Sequence, residues 1–218
     1  MKPLILINFK TYKESYGNKA LELAKKIAKV KKNKYQIAVA PSLLTIKEIA
    51  QKTNLTVFSQ HTDLADLGAH TGRIPADELK AIGVKSTILN HSERKIPLKF
   101  LKEIVELCKN KKIVTVVCAS TISEIKKIAV FHPNYIAYEP KVFIGGNISV
   151  TEAKPEIIVR AVEAVKYISP KTKVLCGAGI HSKEDLGHAL LLGTEGVLIG
   201  HAVSKAKDPK KFLEEMLI

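Results

Sequence analysis

Short apolar runs and longer amphipathic stretches alternate along the whole chain. Runs rich in Ile, Val and Leu fall at 4–9 (LILINF), 36–40 (QIAVA), 55–60 (LTVFSQ), 84–89 (VKSTIL), 113–118 (IVTVVC), 135–138 (YIAY), 173–176 (KVLC) and 196–199 (GVLI). Between and after them, apolar residues recur at three-to-four spacing, which predicts helices over 17–32, 42–51, 75–82, 97–110, 120–129, 152–168, 182–191 and 209–217. Ser42, Pro75 and Ser182 read as helix starts, with Asp185 placed after Ser182 as in a capping box. Gly83 and Gly193 read as helix stops.

Strands that are apolar at nearly every position need cover on both faces, and parallel strands flanked by helices provide it. Eight strand-helix units close a barrel. The expectation is therefore α/β, a closed eight-stranded parallel (β/α)8 barrel forming a single catalytic domain over 1–218, with an open doubly wound sheet as the alternative.

In such a barrel, chemistry sits where strands end and the following loops begin. Those ends carry Asn8 and Lys10, then Gln60, His61 and Asp63, then Asn90, His91 and Glu93, then Glu139. The seventh strand runs into Cys176-Gly177-Ala178-Gly179 and the eighth into Gly200-His201, whereas the opposite ends carry little beyond lysines and turn residues. One end of the barrel is thus marked as a pocket.

Taken singly, these residues leave alternatives open. Glu139 is either a general base or half of a structural ion pair. Lys10 can bind phosphate, set the pocket potential, form a Schiff base or lie on the surface. His91 can be a metal ligand, an acid or base, or a neutral donor; His61 and Asp63 are conceivable co-ligands, but no H-x-H or H-E-x-x-H pattern supports a metal. His70, His132, His181 and His188 read as ordinary surface or helix-terminal residues. Gly145-Gly146, Gly177-x-Gly179 and Gly200 follow late strands, where a barrel can offer backbone N–H groups to a phosphate. The stretch EPKVFIGGNIS, 139–149, combines apolar residues with glycines in the manner of a closing lid.

Composition narrows the picture only a little. The 218 residues are 46% hydrophobic, and no apolar run is long enough to span a membrane. A cytoplasmic location is the default, because the apolar start MKPLILINFK is too short for a signal peptide. The net charge of +14 invites nucleic acid, but the lysines are spread over every helical stretch and mixed with glutamates, as on solvated faces. Cys108, Cys118 and Cys176 form no C-x-x-C pair and read as reduced, buried residues rather than zinc ligands.

Several motifs, in order over the whole chain, resemble the triosephosphate isomerase family in its short archaeal form: NFK at 8–10, QH at 60–61, GAHTGRI at 68–74, NHSERK at 90–95, YEP at 138–140, IGG at 144–146 and CGAGI at 176–180. The resemblance implies a TIM barrel with aldose-ketose isomerase activity in glycolysis and gluconeogenesis, interconverting dihydroxyacetone phosphate and D-glyceraldehyde 3-phosphate through an enediolate. It implies neither cofactor nor metal.

By the same resemblance Glu139 is the general base, neutral His91 the electrophile and Lys10 a cation beside the reacting centre. Substrate would be held by Asn8, Lys10, Ile144, Gly179, Gly200 and His201, under a lid of Pro140, Lys141, Val142, Phe143, Ile144, Gly145 and Gly146. Glu93 would fix Lys10 from behind, and the start of the fourth helix would help to keep His91 neutral. The implied partners are a triose phosphate and further copies of the chain, as homodimer or homotetramer, through the loop after the third strand; nucleic acid and membrane are not among them. Three stretches depart from the broader family pattern: CGAGI at 176–180 stands where the common bacterial and eukaryotic form resembles YGGSV, His201 where a small residue is usual, and Gly146-Asn147 where archaeal relatives often have Thr-Gly.

Overall fold

A computed structural model describes residues 2–31, 34–140 and 154–217. Its strands are β1 Leu4–Asn8, β2 Gln36–Ala40, β3 Thr56–Val57, β4 Ser86–Leu89, β5 Val114–Ala119, β6 Tyr135–Tyr138, β7 Lys173–Cys176 and β8 Gly196–Ile199. The helices are α1 Asn18–Ala28, α2 Leu43–Lys52, α3 Ala76–Ala81, α4 Leu98–Asn110, α5 Ile122–Ala129, α6 Pro155–Ile168, α7 Lys183–Leu191, α8 His201–Ser204 and α9 Pro209–Met216.

All paired strands are parallel, in the order β3-β2-β1-β8-β7-β6-β5-β4. The two edge strands meet through Ser59: its N–H donates to the Ser86 carbonyl at 2.8 Å, and its own carbonyl accepts from Ile88 N–H at 2.8 Å. That bridge brings the ends of the sheet together, giving the TIM barrel expected from the alternation. The third strand is shorter than the apolar run 55–60 suggested. Beyond Val57 the chain crosses the seam, Phe58 still bonding to β2 while Ser59 bonds to β4, so neither residue extends a regular ladder.

Strand alternation decides which side chains reach the interior. Leu6, Ala38, Val116, Ala137, Leu175 and Leu198 belong to the cluster that fills the barrel, while Ile7, Val39, Val117, Ile136 and Val174 pack with helix residues such as Ile27, Ile46 and Ile128. Two positions beyond Leu6, Ala137, Leu175 and Leu198 come Asn8, Glu139, Gly177 and Gly200. The inward set therefore continues into the mouth, where its chemistry changes from apolar to polar or glycine.

Helix ends follow local chemistry. Ser182 Oγ accepts from Asp185 N–H at 3.1 Å and Asp185 answers on Ser182 N–H at 3.0 Å, the reciprocal cap expected for α7. Ser42 precedes α2 without a side-chain bond to the backbone, and Pro75 is the cap residue of α3 rather than its first helical residue. Gly83 and Gly193 sit at φ 85° and 93°, where a side chain would be strained. The three thiols are free and buried, and burial pushes those of Cys108 and Cys176 up to about 12. Among the described residues no helix is long and apolar enough to cross a membrane.

Candidate active site

The mouth is lined by Asn8, Lys10, His91, Glu139, Gly177–His181 and Gly200–Ala202. Lys10 takes φ 47°, a left-handed turn that ends the inward alternation of β1 just where its side chain is needed over the pocket. Its N–H bonds to Asn8 Oδ1 at 3.0 Å, and Gln60 Nε2 braces the same turn through Asn8 Oδ1, Lys10 O and Ala40 O at 3.3, 3.2 and 2.9 Å. Lys10 Nζ meets Glu93 Oε1 at 2.7 Å. Burial pushes the ammonium pKa down, but the Glu93 bond and the charges of Glu93, Tyr12 and Glu139 outweigh it, so the value ends above the ordinary lysine range. Lys10 is a fixed cation.

His91 stands in the turn after β4, held by its neighbour Asn90. That residue sits at φ 57°, which Asn tolerates, and ties the turn to Cys118 O and Glu124 at 2.9 Å each and to Ile96 N–H at 3.0 Å. Glu93 N–H donates to His91 Nδ1 at 3.2 Å. A nitrogen that accepts carries no proton, so the ring proton lies on Nε2, which faces Glu139 Oε1 at 3.3 Å. The helix expected over 97–110 is α4, which runs from Leu98 after the cap residue Pro97, seven residues along the chain from His91. The group that meets the ring from the turn is the Glu93 backbone N–H.

Glu139 is anchored by its N–H to Ala119 O at 2.8 Å and is 3% exposed. Its Oε2 is buried and finds no hydrogen-bond partner among the described residues. Burial first, and the Glu139 charge second, hold the neighbouring Cys118 thiol well above its usual range, so it stays neutral beneath the carboxylate. Gly177 makes this placement possible, since a Cβ there would lie 2.4 Å from Glu139 Cγ and 3.0 Å from Tyr138 O.

Of the expected site residues, the structure gathers Asn8, Lys10, His91, Glu139, Gly179, Gly200 and His201 around one pocket, with Glu93 behind Lys10. Pro140 is buried, whereas 141–146 of the expected lid, Ile144 included, lie outside the described residues. His61 and Asp63 bond to each other at 3.3 Å, and Arg73 and Ile74 N–H take the remaining Asp63 sites at 3.1 and 2.8 Å. Among the described residues no group of three His, Cys, Asp or Glu side chains converges as a metal site.

Sequence reasoning passed over three residues. Gln60 was read as a strand end and part of the QH motif but not as the brace of the Lys10 turn, and Gly177 as a phosphate-facing glycine but not as the space that Glu139 occupies. His181, read as ordinary, lines the pocket with its ring centroid 5.4 Å from that of His201. Its signal was position: two residues after Gly179 and just before the cap of a helix.

A family model described as Triosephosphate isomerase matches residues 3–216. Among curated proteins named triosephosphate isomerase, that of Methanothermus fervidus is 41% identical over 217 residues, covering 99% of this chain and 98% of its own. That of Methanocaldococcus jannaschii is 43% identical over 215 residues, 98% of each chain. That of Archaeoglobus fulgidus is 39% identical over 216 residues, covering 98% of this chain and 96% of its own.

Proposed function

The chain belongs to the triosephosphate isomerase family, whose reaction interconverts dihydroxyacetone phosphate and D-glyceraldehyde 3-phosphate, and we propose that here Glu139 is its base, His91 its electrophile and Lys10 its fixed cation. The observation that carries this is the 3.3 Å pairing of Glu139 Oε1 with His91 Nε2 at a buried mouth, beside a carboxylate oxygen with no hydrogen-bond partner among the described residues. The pair holds an acceptor and a donor a short step apart, both facing the pocket that Lys10 and the glycines after β7 and β8 also line.

Glu139 takes the C1 proton of the ketose, the C–H electrons form the C1–C2 double bond, and the carbonyl oxygen becomes negative. His91 Nε2–H donates to that oxygen while Lys10 stabilises the charge in a site shielded from water. After the proton is redistributed between the two oxygens, Glu139 returns its own to C2 and the aldose forms. The phosphate end lies toward Gly179, Gly200 and His201, where glycines leave room for close approach to backbone.

Lys10 does not suit Schiff-base chemistry, because an amine held above its ordinary pKa is protonated and not a nucleophile. Two assays test the reading. His91→Gln lowers kcat by about 10²–10⁴-fold with KM changed only a few-fold, and borohydride added during turnover leaves Lys10 unmodified. Full activity in His91→Gln, or a reduced Lys10 adduct, overturns it.

The remainder of the reading is one domain acting in the cytoplasm, as a dimer or tetramer joined through the loop after β3. That loop exposes Leu64 and Leu67, and Asp63 braces it through Arg73 and Ile74; both features suit a segment seated on another copy.

A further inference from the structure

The proton chemistry of Glu139 and the carbonyl contact of His91 do not involve two further imidazoles at the mouth. His181 ends the loop after β7 and His201 follows β8; their rings lie 5.4 Å apart at an angle of 55°, and both line the pocket with Lys10, Gly179 and Gly200. His181 is anchored through its backbone, whose N–H bonds to Asp185 Oδ2 at 2.8 Å. Its Nε2 is buried with no partner among the described residues. Leaving such an atom unpaired is costly, and a ligand that supplies the partner removes the cost.

We propose that His181 and His201 form a two-imidazole cradle for the phosphate group, placing side-chain anion recognition on the half of the mouth otherwise built from glycine. This rests on the triose-phosphate reading of the pocket. The charged and titratable groups around the pair are Lys10 and Tyr12 beyond β1, Lys205 at the end of α8 with its Nζ 4.6 Å from the Tyr12 ring centroid, Asp185 in the α7 cap, and His91 with Glu139 across the pocket. Burial first, then the fields of His181, Lys205 and Lys10, hold the His201 pKa below its ordinary value. A bound dianion reverses that field. Free His201 is therefore poor in protons near neutrality, and the occupied cradle gains one. Between the lowered value without ligand and the raised value with it, anion affinity falls as pH rises.

Sulfate is the suitable probe, because it stays a dianion where phosphate itself titrates. Its binding is measured calorimetrically in buffers of different ionisation enthalpy for the intact chain, His181→Gln, His201→Gln, the double variant, and His188→Gln as a control on the exposed face of α7. The expected result is proton uptake approaching one per sulfate and an affinity that weakens by about 3–10-fold between about pH 6 and about pH 8. Both effects are reduced in each single variant, absent in the double variant and unchanged in the control. Sulfate binding without proton uptake, the same pH dependence in the double variant, or no sulfate binding overturns the cradle. Because no turnover is read, each of those results leaves Glu139 and His91 to be judged by their own assays.

Discussion

The two halves of the mouth are built by opposite means. On the side of β1, β4 and β6 the site consists of side chains that fix one another: Lys10 on Glu93, His91 on the Glu93 N–H and on Glu139, Asn8 on Gln60. On the side of β7 and β8 it consists of glycines and two imidazoles, of which His181 has its Nε2 without a partner among the described residues. A reacting carbon requires groups held in place before substrate arrives, which a braced network provides. A phosphate supplies strong acceptors of its own, so its half needs space and unpaired donors. Proton transfer should therefore fail when the braced half is cut, and affinity should fail when the open half is crowded.

Removing the base tests this most severely. Glu139→Gln keeps the shape of the side chain and loses its proton affinity, so kcat falls by about 10³-fold or more while KM changes little, as steady-state assays in both directions would show. Gly177→Ala strikes where the halves join. Its Cβ would meet Glu139 Cγ at 2.4 Å, the carboxylate must move, and kcat falls by roughly 10²-fold. Gly179→Ala crowds the open half at a residue with φ 65°. Its strain costs about 1 kcal/mol in chemical denaturation, and KM rises by roughly tenfold or less with kcat nearly intact. Glu93→Gln is the mildest change, since Glu93 is largely exposed and the His91 tautomer rests on its backbone. Activity at neutral pH drops by about 2–3-fold. Lys10 loses the partner that raises its pKa, so the alkaline loss of activity begins at lower pH than in the unmodified protein.

The same contrast explains what could be read from sequence. The barrel was legible because each strand is short, apolar and followed by an amphipathic run, and because Asn8, Glu139, Gly177 and Gly200 extend the inward parity of Leu6, Ala137, Leu175 and Leu198. The closing seam was not, because Ser59 divides its bonds between Ser86 and Ile88 on a strand distant in sequence, and periodicity carries no trace of such pairing. The left-handed turn at Lys10 was hidden for a related reason: nothing in NFK shows that Asn8 and Gln60 would brace that conformation. The position of His91 at a strand end was legible, but the bond from Glu93 N–H to its ring was not, because a backbone contact two residues away depends on the conformation of the turn. His181 escaped because a single histidine near a helix start means little until the fold sets it beside another.

The central claim is that Glu139 moves a carbon-bound proton, and solvent exchange reads that step directly. Dihydroxyacetone phosphate is incubated in deuterium oxide with the unmodified protein and with Glu139→Asp, and label at C1 is followed by NMR alongside formation of the aldose. The account predicts that exchange and product formation both proceed in the unmodified protein and fall together in the variant by about 10²-fold or more. Exchange that continues undiminished in Glu139→Asp would show that another group takes the proton and would contradict the assignment of this carboxylate.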